Sequence, residues 1–154
     1  MERIASTWFV ARDGAGGPTL VAVSRSLPPE LREARYVRLT TFKRSGQAVP
    51  TPVWTVPQRD VLLVYTSGDT GKVKRIRNSG RVLLAPCDMR GRVADGVADV
   101  PGTAVVVDDP AAVDGLRRGL AARYGLQARA LLLVERLRRR TGAVRIEVSL
   151  PDGD

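Results

Sequence analysis

The residues best suited to chemistry lie in a turn at residues 65–75, Tyr-Thr-Ser-Gly-Asp-Thr-Gly-Lys-Val-Lys-Arg. The chain has only three lysines beside 22 arginines, and two of these lysines lie in this turn. An apolar stretch before the turn predicts a strand, and Gly71 opens a short helix. A helix start exposes backbone N–H groups, which together with hydroxyls and fixed positive charges suit a phosphate ester. The hydroxyls come from Thr66, Ser67 and Thr70, the cations from Lys72, Lys74 and Arg75, and we predict that this stretch holds an anionic cofactor.

Two familiar phosphate-binding motifs do not fit this turn. A P-loop has four residues between its glycines and a Ser or Thr after its lysine, whereas Gly68 and Gly71 enclose two residues and Val73 follows the lysine. No G-x-G-x-x-G follows a predicted strand, so a Rossmann site is not predicted either. The alternative interpretation is an ordinary solvated helix with surface charge. We favour a ligand because hydroxyls, a helix start and two or three cations converge.

Composition limits the classes of protein to which the chain could belong. Its 154 residues, 44% of them hydrophobic, predict a single domain with its own core and no membrane-spanning segment. Cys87 is the only cysteine, so no internal disulfide is possible, which suits the cytoplasm. Histidine is absent, which excludes Ser-His and Cys-His nucleophilic enzymes and leaves too few ligands for a zinc site.

The formal net charge of +9 predicts an anionic partner. Nucleic-acid binding would require aromatic side chains interleaved with the cations, or a recognition helix. Aromatic residues make up only 5% of the chain, so we predict no nucleic-acid partner. No segment is long and apolar enough to cross a membrane, so no membrane partner is predicted either.

The elements that must position the turn are predicted by periodicity and by Gly and Pro breaks. Residues 1–26 form an N-terminal extension, in which a breaker cluster at 14–18 predicts an irregular arm, and residues 27–150 form the main domain. Pro50 and Pro52 cannot donate to a sheet ladder, so their strand lies at an edge. Strands are predicted at 36–42, 47–56, 61–66, 81–87, 92–107 and 143–149, and helices at 30–35, 71–78, 110–124 and from 126 onward.

Sequential hairpins favour a mainly β (α+β) fold, an antiparallel barrel of about six strands, over a βαβ sheet. Residues 57–60 are predicted as a turn. The two C-terminal helices are each predicted to bury one apolar face. The buried face of the first consists of Val113, Leu116, Leu120 and Tyr124, and that of the second of Leu126, Ala130, Leu133, Val134 and Leu137.

The chain resembles the pyridoxamine 5′-phosphate oxidase-like split β-barrel superfamily with its FMN-binding fold, in particular the branch of coenzyme F420-dependent reductases. The resemblance covers residues 36–92 most clearly, and the same element order continues to about Ser149. Thr55, where an aromatic or aliphatic residue is more usual, and the N-terminal extension depart from the pattern. The residues that carry the resemblance are Leu39-Thr40-Thr41-Phe42, Gly46, Thr51-Pro52-Val53-Trp54, Lys72-Val73-Lys74-Arg75-Ile76, Ala85-Pro86-Cys87 and Arg90-Gly91.

The resemblance implies a homodimer with two cofactor sites at the subunit interface. It implies that the cofactor phosphate lies near Lys72, Lys74 and Arg75, with Thr66 and Ser67 beneath it. The ring would lie along Pro50, Thr51, Pro52, Val53 and Trp54.

The implied reaction is hydride transfer from reduced F420 to a conjugated small-molecule acceptor, and no residue is singled out as proton donor. The substrate itself is not indicated. Two alternatives remain: an FMN-binding flavoprotein of the same fold, and a non-catalytic F420 carrier.

Overall fold

The structure is a computed structural model that describes residues 7–12, 18–23, 26–138 and 142–151. Most of these residues belong to regular elements. In chain order the elements are β1 (Thr7–Arg12), β2 (Pro18–Val23), α1 (Pro29–Glu33), β3 (Tyr36–Phe42), β4 (Ala48–Val53), β5 (Val56–Gln58), β6 (Val61–Ser67), α2 (Gly71–Asn78), β7 (Arg81–Cys87), β8 (Val100–Val107), α3 (Pro110–Tyr124), α4 (Leu126–Arg138) and β9 (Ala143–Ser149).

Seven strands form one antiparallel sheet in the order β4-β3-β7-β8-β9-β6-β5. Strands β4 and β5 lie at opposite edges of this sheet, yet only Trp54 and Thr55 separate them in the chain. Because two residues cannot span a flat seven-stranded sheet, the sheet must curl until its edges approach each other. The predicted mainly β split barrel is confirmed.

The strand predicted at 47–56 is in fact two strands, which explains why the sheet has seven strands and not six. Strand β4 pairs with β3, whereas β5 pairs with β6 on the other side of the barrel. The turn predicted at 57–60 was therefore placed too early, and the chain reverses at Arg59, whose φ is 53°. Pro50 and Pro52 lie on the edge strand β4, as predicted.

The strand predicted at 92–107 is too long, since β8 begins only at Val100. The preceding loop contains Gly96 with a φ of 80°, a conformation that does not continue a strand. Asp99 in this loop accepts a hydrogen bond from Arg38 at 3.0 Å, which ties the loop to β3. In the N-terminal extension, β1 and β2 pair as an antiparallel hairpin where an irregular arm was expected. The breaker residues 14–17 lie outside the described residues, and the predicted domain boundary stays a prediction.

The barrel interior forms the main core, and α2 closes one end of it. Val73 and Ile76 of α2 are buried, as predicted from their spacing on the helix. Helix α2 is thereby held against the barrel, with Lys74 and Arg77 exposed. Other members of this core include Val37, Leu39, Leu62, Val64, Val82, Leu84, Ile146 and Val148.

The two C-terminal helices differ in what they bury. Helix α3 begins at Pro110, and the side chain of the preceding Asp109 accepts a hydrogen bond from the backbone N–H of Ala112 at 3.2 Å, as predicted for a capping residue. Its predicted face is confirmed, because Val113, Leu116 and Leu120 are buried.

The predicted buried face of α4 is wrong, since Leu126, Leu133 and Leu137 are 81%, 59% and 80% exposed. Ala130 and Val134 of this predicted face are exposed too. The buried side of α4 is instead the side that carries Ala128. Within the part of the chain that the structure describes, no helix is long and apolar enough to span a membrane.

Candidate functional site

The candidate site begins at the N-terminus of α2. Thr70 precedes this helix in an extended conformation, and among the described contacts its side chain makes no capping bond. Its hydroxyl instead donates to the carbonyl of Ser67 at 3.1 Å. The first helical N–H groups therefore have neither an intrahelical acceptor nor a side-chain cap from Thr70, and no carboxylate occupies the first turn. Such a helix start attracts an anion.

Lys72 is held at one side of this helix start. Its ammonium donates to the Thr66 hydroxyl at 3.3 Å, and that hydroxyl lies 3.4 Å from the hydroxyl of Thr70. Burial lowers the pKa of Lys72, the nearby Arg75 lowers it further, and Glu135 of α4 opposes both effects. Because burial and Arg75 disfavour its charge, a bound anion beside Lys72 would stabilise the ammonium form.

Arg75 is folded back over the same helix start. Its Nε donates to the hydroxyl of Thr41 in β3 at 2.7 Å, and Thr41 is fully buried. A Cβ at Gly71 would lie 2.7 Å from Nη1 of Arg75, so a larger residue there would displace this flexible guanidinium. The structure therefore fixes a cation beside the open N–H groups.

A cleft of about 190 Å³, here called the aromatic cleft, lies on the Lys72 side of α2. Its walls come from the β4–β5 junction, from β6 and from the two C-terminal helices. A planar ring with polar edges fits such a surface, since apolar side chains and polar groups line it in about equal measure. The lining residues are Pro52, Val53, Trp54, Tyr65, Thr66, Lys72, Leu120, Leu131, Leu132 and Glu135.

A second cleft of about 260 Å³, here called the cationic cleft, is lined by a different set of α2 residues. Lys43 and Arg44 from the β3–β4 turn face Lys74 and Arg75 across it. Among the described residues that line it, which also include Phe42 and Asn78, none is acidic. All three lysines of the chain thus line one cleft or the other.

The two clefts divide the predicted site residues into three groups. Pro52, Val53, Trp54, Thr66 and Lys72 line the aromatic cleft, and Lys74 and Arg75 line the cationic cleft. Pro50, Thr51 and Ser67 line neither of these clefts.

Each residue of the third group is accounted for locally. Pro50 is exposed on the edge strand, and Thr51 pairs with Leu39 in the ladder. Ser67 contributes its carbonyl, which accepts from Thr70. Their roles in binding a cofactor stay a prediction.

Several residues of the site were not predicted. Lys43 could have been found from the scarcity of lysine, and Thr41 lies in the Leu39-Thr40-Thr41-Phe42 stretch that carries the resemblance. Arg44 follows Lys43 in the β3–β4 turn, but arginine is too common in this chain to serve as a signal. Tyr65 and Glu135 carry no local signal, because their place in the site depends on tertiary packing.

The sequence matches the family model described as pyridoxamine 5′-phosphate oxidase over residues 27–149. This match covers well over half of the chain, so the chain belongs to the pyridoxamine 5′-phosphate oxidase family. No protein with a curated description matches the sequence.

Solved structures with the same fold carry different functional descriptions. An F420 reductase is 18% identical with a TM-score of 0.56, over 84% of this chain and 97% of that one. The heme storage protein HutZ of Vibrio cholerae is 13% identical with a TM-score of 0.61, over 84% and 93%. An FAD-binding protein of Mesorhizobium loti is 16% identical with a TM-score of 0.54, over 80% and 84%. At these identities the likeness shows the fold alone.

Proposed function

We propose that this protein is an F420-dependent reductase that transfers a hydride from the reduced deazaflavin to a conjugated small-molecule acceptor. The observation that supports this proposal most directly is that α2 supplies cations to both clefts, Lys72 to the aromatic cleft and Lys74 and Arg75 to the cationic cleft, with the guanidinium of Arg75 beside the open helix start. This arrangement fits a ligand with a ring, a phosphate and a further anionic extension.

Each part of the site has a role in this proposal. Trp54 with Pro52 and Val53 supports the ring, while Lys72, Arg75 and the N-terminus of α2 hold the phosphate. The deazaflavin, when bound, supplies the hydride, and the chain orients the ring and excludes water from it. F420 carries a polyglutamate tail beyond its phosphate, and the carboxylates of this tail would face Lys43, Arg44 and Lys74.

The cationic cleft is also the reason to favour F420 over FMN. FMN ends at its phosphate, so it would leave Lys43, Arg44 and Lys74 without a ligand. A non-catalytic F420 carrier would use the same contacts as a reductase, and only turnover with an acceptor distinguishes the two.

The first experiment is a fluorescence titration of the cofactor-free protein with F420 and, separately, with FMN. Lys72→Ala and Arg75→Ala should each weaken F420 binding by about 1–3 kcal/mol, as for a charged hydrogen bond. Arg77→Ala is the matched control, because it removes a charge from the same helix at an exposed position that lines neither cleft. Unchanged binding in the double variant of Lys72 and Arg75 would contradict the site.

Reduced F420 with a panel of conjugated acceptors then tests catalysis. Oxidation of the cofactor that depends on the acceptor supports a reductase, and tight binding without turnover supports a carrier. Tighter binding of FMN than of F420 would move the protein to the flavin-dependent alternative.

We also propose a homodimer that forms in the cytoplasm. The exposed stripe of α4 supports the dimer, because Leu126, Ala130, Leu133 and Leu137 repeat at the spacing of paired helices. Sedimentation of Leu133→Glu with Leu137→Glu should show monomers. The control places two glutamates at exposed Ala111 and Ala122 of α3, which should leave the dimer intact. A dimer that survives the α4 double variant excludes this stripe as the interface.

A further inference from the structure

Tyr124, the last residue of α3, connects three distant segments through one hydroxyl. This hydroxyl lies 2.9 Å from the carbonyl oxygens of Arg35 and of Thr55, to either of which it donates. It also accepts a hydrogen bond from the backbone N–H of Thr55 at 3.2 Å. When the hydroxyl donates to Thr55, this residue finds both of its backbone partners in one side chain that is 69 residues away.

These hydrogen bonds occur where the sheet cannot supply them. Thr55 lies between β4 and β5, and its side chain is fully buried. A buried backbone N–H or C=O without a partner costs free energy, so the break between the two strands depends on an outside donor and acceptor. Tyr124 provides both.

The ring of Tyr124 holds the neighbouring residue as well. It stacks on the indole of Trp54 with ring centroids 4.7 Å apart and planes inclined by 11°. Tyr36 meets the same indole at 6.5 Å in a tilted arrangement. Trp54 is the aromatic residue that the β4–β5 junction contributes to the aromatic cleft.

A second wall of that cleft, formed by α4, is connected to Tyr124 through the chain. Gly125 follows Tyr124 with φ 65° and ψ −138°, and α4 begins at the next residue. Leu131, Leu132 and Glu135 of α4 line the same cleft as Trp54. Both walls are thus attached to Tyr124, one by contact and the other through the chain.

We infer that Tyr124 is a positioning residue of the aromatic cleft: its hydroxyl fixes the backbone of Thr55 and its ring fixes Trp54, so that the cleft is preformed for a planar ligand. A preformed surface loses less entropy when the ligand binds. Removing the contacts of Tyr124 with Thr55 and Trp54, here called the clamp, should therefore lower affinity without removing any ligand contact. The inference rests on the proposed function only for the identity of the ligand.

The test uses Trp8→Phe as the background, so that Trp54 is the only tryptophan. Tyr124→Phe removes the hydroxyl and keeps the stacked ring, and Tyr124→Leu removes both. Tyr36→Phe is the matched control, because Tyr36 contacts Trp54 only through its ring. Trp54 fluorescence anisotropy and acrylamide quenching are measured without ligand, and F420 and FMN are then titrated.

Tyr124→Phe should raise the quenching of Trp54 and weaken F420 binding by about tenfold or less, the range of one net hydrogen bond. Tyr36→Phe should change neither. The effects of Tyr124→Phe and Trp54→Phe on F420 affinity should also be non-additive, which a purely structural Tyr124 would not produce.

Unchanged quenching and affinity in a folded Tyr124→Phe protein would overturn the inference. If Tyr124→Leu does not fold, Tyr124→Phe alone decides, since it keeps the ring packing. Failure of the wild-type protein to bind either cofactor would instead remove the proposed function, while the quenching data still judge the clamp.

Discussion

Helices α3 and α4 lie next to each other in the chain, have 15 and 13 residues, and both carry leucines at helical spacing. The leucines at this spacing are nevertheless buried in α3 and exposed in α4. Leu116 and Leu120 of α3 are buried against Leu63 of β6. Leu133 and Leu137 of α4, which have the same residue type and a comparable spacing, are exposed.

The difference teaches that an apolar period predicts a helix and its two sides, but not what covers each side. In α3 the apolar side meets the barrel. In α4 the side toward the barrel carries Ala128, and further along it Leu132 and Glu135 line the aromatic cleft. The apolar stripe of α4 is therefore left for another molecule, which we propose to be the second subunit.

The largest expected difference in the free energy of unfolding is between two variants that each truncate one leucine, Leu116 in α3 or Leu133 in α4. Leu116→Ala should lower the free energy of unfolding by about 2–5 kcal/mol, because it leaves a cavity in a packed core. Leu133→Ala should change that of the monomer by no more than about 0.5 kcal/mol, since its side chain is 59% exposed.

Urea denaturation at several protein concentrations separates the two cases. In a dimer that forms through α4, the effect of Leu133→Ala should grow with protein concentration, whereas that of Leu116→Ala should not. Equal losses at all concentrations would mean that the two helices are buried alike, and the comparison between them would fail.

A smaller effect is expected from the glycines. Gly125→Ala should destabilise by about 1–3 kcal/mol, because φ 65° with ψ −138° is costly for any residue with a side chain. Gly115→Ala inside α3 should stabilise by about 0.5–1 kcal/mol, since an added methyl would meet only the end of Arg118 at 3.9 Å. Thermal unfolding of both variants checks the signs. Stabilisation by Gly125→Ala would show that the α3–α4 turn does not need its left-handed residue.

The parts of the fold that follow local rules could be predicted from the sequence. Strands β3, β7 and β9 and helix α2 have their predicted bounds. Glycines help to mark them, since Gly46 follows β3, Gly80 separates α2 from β7 and Gly142 precedes β9. The break at Trp54–Thr55 could not be predicted, since Val53 and Val56 continue a strand-like pattern and the interruption is stabilised by Tyr124, far along the chain.

The site divides in the same way. Lys72, Lys74 and Arg75 are neighbours in sequence, so their convergence was predictable from helix geometry. Their separation into two clefts was not, because it depends on which strand or helix lies on each side of α2. Lys43 and Glu135 enter the site only through that packing.

The smallest effect distinguishes the carboxylates of the two helices. Asp114 of α3 pairs with Arg117 of the same helix at 2.8 Å, whereas Glu135 of α4 lines the aromatic cleft. Burial and Arg75 lower the pKa of Lys72, and the charge of Glu135 partly offsets this decrease. A phosphate-bearing ligand binds the charged form of Lys72, so affinity should fall as pH rises through that pKa. Glu135→Gln removes the raising effect, and the fall should therefore occur at lower pH than in the wild-type protein. At pH values below this fall in affinity, the variant should bind F420 slightly more tightly because a negative charge near the phosphate is gone.

Titrations across the alkaline range check the direction of both changes in affinity, with Asp114→Asn expected to match the wild-type profile. A Glu135→Gln profile identical to the wild type would place α4 outside the electrostatics of the site and leave it only a packing role.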